Sequence, residues 1–355
     1  MKGLILSGGK GTRLRPLTYT SAKQLVPIAN KPVLFYGIEA MAEAGIRDIG
    51  IVVGDTQAEI RAAVGDGSAW GVRVVYIEQD APRGLAHAVK ISESFIGSDP
   101  FVMYLGDNLL NKGITQFVQD FTRDAPAAQI LLARVPDPQM FGVAELRDGK
   151  VVRLVEKPKE PIGDHALVGV YMFGPQVFES VNRIRPSFRN ELEITDAIQD
   201  LIDRGLEVRP HLVEGWWKDT GKLEDMLEAN RLILDTMERK IEGTIDDASR
   251  IEGKVVIAAG ASVERSVVRG PVVIGAGAKI SGAYIGPFTS IGDNVTLRET
   301  EIEHSIVLEG SVISDLANRV EDSLIGRNCK ISRMPVKPSA YRFMLGDNSE
   351  VGIRW

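Results

Sequence analysis

From about residue 246 an aliphatic side chain returns every six positions. The pairs are Ile257/Val263, Ile274/Ile280, Ile285/Ile291, Ile291/Leu297, Val307/Ile313 and Ile325/Ile331, with glycine or another small residue between them. Segments of this kind open on Ile-Gly in "IGAGAK", "IGPFTS", "IGDNVT" and "IGRNCK". Such a hexapeptide period is the signature of a parallel β-helix, whose flat sides stack coil on coil and bury one aliphatic ladder. Residues 246–333 are therefore expected to form a β-helix, followed by a C-terminal tail over 334–355.

The preceding residues, 1–240, obey a different grammar, and a chain of 355 residues is long enough for two domains. Short β-branched runs at 2–6, 49–54, 72–77, 101–106 and 129–135 alternate with helical patterns, which predicts an α/β domain with a mostly parallel mixed sheet. One helix is expected within 31–45, ending at Gly45. A second is expected within 195–205, started by Thr195 or Asp196 and ended by Gly205. Residues 223–244 carry helical periodicity and no Pro/Gly/Ser linker.

A net charge of −6 gives no electrostatic reason to expect a nucleic acid or an anionic membrane as partner, so an anionic ligand must be met by a local basic site. The single cysteine, Cys329, fits a reducing compartment. No apolar run approaches the ~18 residues that cross a bilayer, and the N-terminus lacks a signal-peptide pattern, so a cytoplasmic location is expected.

The basic site suggested by the sequence lies in "GLILSGGKGTRLRPLT", residues 3–18. A P-loop would need glycine where Leu4 stands and Ser or Thr where Gly11 stands, and a dinucleotide fingerprint would need glycine at Leu14. Neither motif is present. A strand end remains, followed by Gly8, Gly9 and Gly11, which let backbone N–H groups approach a ligand, and then by Thr12, Arg13 and Arg15. A triphosphate suits this nest; alone, the stretch is equally a tight turn with solvated charges.

Together with "AKQLVPIANKP" (22–32), this stretch resembles the signature of the sugar-1-phosphate nucleotidylyltransferases. The ordered segments "EQDAPRGLAHAV" (78–89), "LGDN" (105–108), "FGVAEL" (141–146), "VEKP" (155–158), "LVGVYMF" (167–173), "ELEITDAI" (191–198) and "WWKDTG" (216–221) extend the likeness. Over the whole chain it is similar to the long, dTTP-using forms. Those forms join a Rossmann-like nucleotidyltransferase domain to a C-terminal left-handed β-helix.

The resemblance implies attack by the phosphate of glucose 1-phosphate, or another hexose 1-phosphate, on the α-phosphorus of dTTP or UTP, with release of pyrophosphate. A phosphate monoester is mostly dianionic at neutral pH, so no general base is required and four histidines suffice for the chain. By the same resemblance Arg13, Lys23 and Lys157 are catalytic. Leu6, Gly8, Gly9, Gly11, Thr12, Arg13, Lys23, Gln79, Gly84, Leu85 and Asp107 meet the nucleotide. Gly142, Glu156, Lys157 and Val168 meet the sugar phosphate, and Asp107 and Asp219 hold Mg²⁺. Within these roles Gln79 reads the edge of thymine or uracil, while Gly84 leaves room for the ring. Phe141 departs from the tyrosine of many relatives, which removes a hydroxyl but keeps a ring.

Two other readings compete. Hexapeptide coils also serve acetyl-CoA enzymes, which usually need a basic histidine, and His304 is the one histidine within the repeats. A non-catalytic sugar-nucleotide sensor is the other, and the intact set Arg13, Lys23, Asp107 and Asp219 argues against it. The coil then reads as an oligomerisation or regulatory module, with a homo-oligomer expected.

Overall fold

The computed structural model of the protein describes residues 1–9, 11–160, 162–333 and 351; apart from Val351, the expected tail over 334–355 lies outside the described residues. The chain divides into two units. One comprises Met1–Lys10, Ser21–Leu25 and Val33–Asp219, the other Gly11–Thr20, Val26–Pro32 and Thr220–Trp355.

The first unit is built on a nine-stranded mixed sheet. Along its main path the order is Lys150–Glu156, Gly142–Arg147, His165–Phe173, Phe101–Leu105, Lys2–Leu6, Asp48–Val53, Arg73–Glu78. Ala128–Arg134 joins through His165–Phe173, and Val208–Leu212 joins through Ala128–Arg134. Strand alternation sends Leu4 and Leu6 into one apolar cluster and Ile5 into another. Helices Leu85–Ile91, Val177–Arg183 and Ile194–Asp203 supply the first cluster, and Val33–Glu43, Gln57–Val64 and Thr115–Asp124 the second. A strand buried on both faces must be apolar at nearly every position, which is why these segments read as short continuous runs.

Two sequence expectations are corrected. The sheet is mostly parallel only among Phe101–Leu105, Lys2–Leu6, Asp48–Val53 and Arg73–Glu78, with one further parallel pair at its margin. Every pairing made by His165–Phe173 is antiparallel, as is that between Gly142–Arg147 and Lys150–Glu156. The signal for the latter hairpin is Asp148-Gly149, both with positive φ, in the kind of turn that matches strand twist. The helix expected from Thr195 or Asp196 instead begins at Ile194, so both residues lie in its first turn and Glu193 precedes it. Gly45 and Gly205 do adopt the positive φ that a helix end needs.

In the second unit, helix Leu223–Thr236 is followed at Lys240 by a run of very short strands. These pass in rotation to three parallel sheets, two of six strands and one of four. Partners lie one coil apart: Ile257 pairs with Ile274, Ile274 with Ile291, Ile291 with Val307 and Val307 with Ile325. Val263, Ile280, Leu297, Ile313 and Ile331 form the neighbouring ladder. The hexapeptide pairs are thus adjacent corners of one coil, and their side chains join in a single buried cluster. Asn230, fully buried on the helix, ties this unit together. Its Oδ1 accepts from Ala29 N–H and Ser290 Oγ at 2.9 and 2.7 Å, and its Nδ2 donates to the Phe288 carbonyl at 3.0 Å.

Candidate active site

Parallel strands end together, and the residues just beyond their carboxyl ends are where such sheets present ligand-binding groups. In the first unit these are Ser7-Gly8-Gly9 after Lys2–Leu6, Gly54 after Asp48–Val53, and Gly106-Asp107 after Phe101–Leu105. The bends are tied by Ser7 N–H donating to Val52 O at 2.8 Å and Gly106 N–H donating to Leu6 O at 2.9 Å. Leu6 itself is buried, so it belongs to the core and its carbonyl serves the sheet.

Lys23 sits in the buried turn Lys23–Leu25 with its side chain only 7% exposed. Its Nζ donates to Asp107 Oδ2 at 2.6 Å and lies 3.8 Å from Asp219 Oδ1. Asp219 reaches this point because strand Trp217–Asp219 pairs antiparallel with Asn108–Leu110, placing it opposite Asn108. Residues separated by more than a hundred positions thereby converge on one amine. Burial raises the pKa of the Asp107 carboxyl, but the charge and hydrogen bond of Lys23, aided by Asn108, outweigh it and hold the group below the usual carboxylate range.

The donor set fits a hard divalent cation. Two carboxylates converge on the Lys23 amine, and Mg²⁺ is commonly held by one or two carboxylates with substrate phosphates and water completing the shell. Among the described residues no group of three or more His, Cys, Asp or Glu is placed to hold a metal alone, so phosphate oxygens would have to contribute.

Asn108 is a site residue that sequence reasoning left without a role. It is 3% exposed, donates through Nδ2 to Asp107 Oδ1 at 3.0 Å and accepts at Oδ1 from Trp217 Nε1–H. Trp217 in turn packs edge-on against Phe141 with ring centroids 5.2 Å apart, so the ring at 141 has a packing partner without a hydroxyl. Neither Trp216 nor Trp217 is fully buried.

Gln79, Gly84 and Gly8 are neighbours. Gln79 Nε2 donates to Gly84 O at 3.4 Å, and a Cβ on Gly8 would lie 3.3 Å from Gln79 Oε1. Leu85 opens helix Leu85–Ile91 directly after Gly84. Gly84 has φ +99°, and a Cβ there would come within 2.3 Å of Leu192 O. Its lack of a side chain is therefore required by the backbone of the chain itself, whatever ring it also admits. Gly142 differs: an added Cβ would meet the side chains of Thr195 at 2.7 Å, Leu167 at 2.9 Å and Glu156 at 3.1 Å. Side-chain tips yield where backbone cannot. Gly84→Ala should accordingly cost about 2 to 4 kcal/mol, and Gly142→Ala clearly less, in denaturant melts of the two variants. Equal losses would contradict this account.

Around Gly142, Glu156 Oε1 accepts from Arg189 Nη1 at 3.2 Å, and Arg189 also meets Glu191 at 3.0 Å and Glu193 at 3.5 Å. Burial first, then the charge of Glu193, raises the pKa of Glu156 against the pull of Lys157 and Arg189. Arg189 was missed in the sequence, although an arginine followed by acids at two and four positions is a visible pattern. Lys157 is exposed at the end of strand Lys150–Glu156, with φ +43° and its N–H donating to Phe141 O at 3.0 Å. Val168 is fully buried in the core, so the expectation that it meets sugar is restricted to its backbone, where the ladder to Ala128–Arg134 is interrupted.

In the second unit Gly11, at φ +60°, leads into the turn Thr12–Leu14. Leu14 is 4% exposed and anchors the turn, Thr18 Oγ1 donates to Gly11 O at 2.7 Å, and Thr12 and Arg13 are exposed. The Arg13 guanidinium lies alongside Gly221, where an added Cβ would be 3.0 Å from Nη2.

An α/β sheet with a lysine and two aspartates converging beyond the end of its strand Phe101–Leu105 defines the class. Residues 2–236 match the family model described as nucleotidyl transferase, and the chain belongs to that family. Residues 268–339 match the model of the GMPPB C-terminal domain. Over the full length of both chains it is 55% identical to a glucose-1-phosphate thymidylyltransferase of Streptomyces antibioticus. It is also 48% identical to the low-salt glycan biosynthesis nucleotidyltransferase Agl11 of Haloferax volcanii, over 99% of this chain and all of that one. A Bacillus anthracis crystal structure, provisionally described as a glucose-1-phosphate thymidylyltransferase in complex with sucrose, superposes with a TM-score of 0.63 at 36% identity. That match covers 68% of this chain and 98% of the other. No helix among the described residues is long and apolar enough to cross a membrane.

Proposed function

We propose that the protein transfers a thymidylyl group from dTTP to glucose 1-phosphate, giving dTDP-glucose and pyrophosphate. The observation that carries the reading is the convergence of Lys23, Asp107 and Asp219 at the carboxyl ends of the parallel strands, in a chain whose full-length relative bears that activity in its name.

An oxygen of the sugar phosphate attacks the α-phosphorus, a new P–O bond forms, and the bond from that phosphorus to the bridging oxygen breaks, its electron pair leaving with pyrophosphate. The nucleophile arrives already deprotonated, so the protein's task is to bring polyanions together and to stabilise charge on the leaving group. Arg13 offers a permanently charged fork for phosphate oxygens, and Lys23 neutralises the nucleotide's phosphates. Lys157 takes the sugar's phosphate, and Glu156 accepts from its hydroxyls beside Gly142. Asp107 and Asp219 would hold Mg²⁺, which when bound shields phosphate charge. Gln79, with Gly84 and Leu85, addresses the base.

The rotation of strands among three parallel sheets supports reading the coil as a β-helix; its left hand and a role in homo-oligomer formation or regulation are what the family resemblance implies. His304 is held by Asp322 through Nδ1 at 2.5 Å, an arrangement met as readily by a surface ion pair as by a catalytic base, and it gives the acyltransferase reading no further support.

A pyrophosphate-release panel tests the reading: dTTP, UTP, ATP, GTP and CTP against several hexose 1-phosphates, with and without Mg²⁺. Release should be fastest with dTTP and glucose 1-phosphate and should require the metal. Faster release from UTP would make it a uridylyltransferase, and no release from any pair would overturn catalysis.

A further inference from the structure

The side chain of Gln79 is held at two points. Its Nε2 lies 3.4 Å from the Gly84 carbonyl and 3.0 Å from Nδ1 of His87, which sits on helix Leu85–Ile91. A carbonyl oxygen only accepts, so the amide nitrogen must face that side. His87 Nδ1 then has to accept as well, which places the imidazole proton on Nε2. Both hydrogens of the Gln79 amide are thereby committed within the protein. What is left to a ligand is the oxygen, Oε1, which is turned toward the bare Cα of Gly8.

We propose that His87 is a positioning residue for nucleotide choice: by accepting from Gln79 it fixes the amide so that an acceptor, not a donor, is presented to the base. An acceptor at that place favours bases with a ring N–H on the recognition edge, such as thymine and uracil, and opposes cytosine, whose N3 is itself an acceptor. The Gly84 bond is long and holds the amide only weakly alone, so the orientation depends on the histidine. Burial first, then the charges of Arg83 and Lys90, lowers the His87 pKa against the opposing charge of Asp80, which keeps the ring neutral and able to accept.

The inference rests on the reading of Gln79 as the group that meets the base. It is tested by the ratio of kcat/KM for dTTP to that for CTP, both with glucose 1-phosphate, in the full-length protein. His87→Leu removes the acceptor while keeping a good helix former, and the amide becomes free to turn. The ratio should fall roughly tenfold, because a site built around one hydrogen-bond polarity loses its means of rejecting the other. His87→Asn places Oδ1 near the position of Nδ1 and should restore the ratio to within about twofold of the unmodified protein. A merely structural histidine would lower both activities together and leave the ratio unchanged in His87→Leu, and that result overturns the proposal. So does a fallen ratio that asparagine does not restore. Failure of the unmodified protein to use dTTP would instead sink the functional reading beneath it.

Discussion

Lys23→Met should lower pyrophosphate release from dTTP and glucose 1-phosphate by roughly a thousandfold. It should also cost about 2 kcal/mol of stability at neutral pH, because a largely buried carboxylate loses its closest opposite charge. The full penalty for a deeply buried pair is moderated here by the 24% exposure of the Asp107 side chain. The pH dependence has a definite sign. In the unmodified protein the Asp107 pKa is lowered, so its contribution is present above the ordinary carboxylate value of 3.8 and fades as pH falls through the lowered one. Without Lys23 the strongest opposition to burial is gone while the Asn108 hydrogen bond remains, so the pKa rises and the ionised form is penalised as pH climbs. The stability gap between the two proteins should therefore be widest near neutrality and close in acid, as read from urea midpoints across pH. Adding Asp107→Asn to Lys23→Met should recover stability but not turnover. A gap independent of pH would show that Lys23 supports the fold by packing rather than by charge.

The same three residues show what the sequence could and could not reveal. Lys23, Asp107 and Asp219 are recognisable from their motifs, yet what brings Asp219 to Asp107 is the pairing of Trp217–Asp219 with Asn108–Leu110. The coil was the most legible part, since its partners recur one turn apart and its aliphatic period is imposed directly by stacking. The antiparallel half of the sheet was hidden for the opposite reason. His165–Phe173 is apolar almost throughout because it is covered on both faces, and such a run carries no sign of strand direction. The hairpin beside it had its signal in Asp148-Gly149. Asn108 and His87 are harder cases: each acts through another side chain, and Asn108, which acts on Asp107, is itself held by Trp217, 109 residues away. A buried amide looks like any other until its partner is placed. His87 lies eight residues from Gln79, across the loop that precedes its helix, a spacing that belongs to no regular element.

Arg13→Ala should separate folding from chemistry in a way that Lys23→Met does not. The guanidinium is exposed, while its turn is fixed by the buried Leu14, by Gly11 at φ +60° and by the Thr18 hydrogen bond, none of which the substitution touches. The melting curve should stay within about 0.5 kcal/mol of the unmodified protein. Turnover should nonetheless fall about a thousandfold or more, the range over which a positioned arginine stabilises a phosphoryl-transfer transition state. Arg13→Lys separates charge from shape. Lysine restores the positive charge but not the planar fork that engages two phosphate oxygens at once, so most of the loss should persist. Full recovery by lysine would reduce Arg13 to a source of local potential. Unchanged turnover in Arg13→Ala would remove Arg13 from the chemistry.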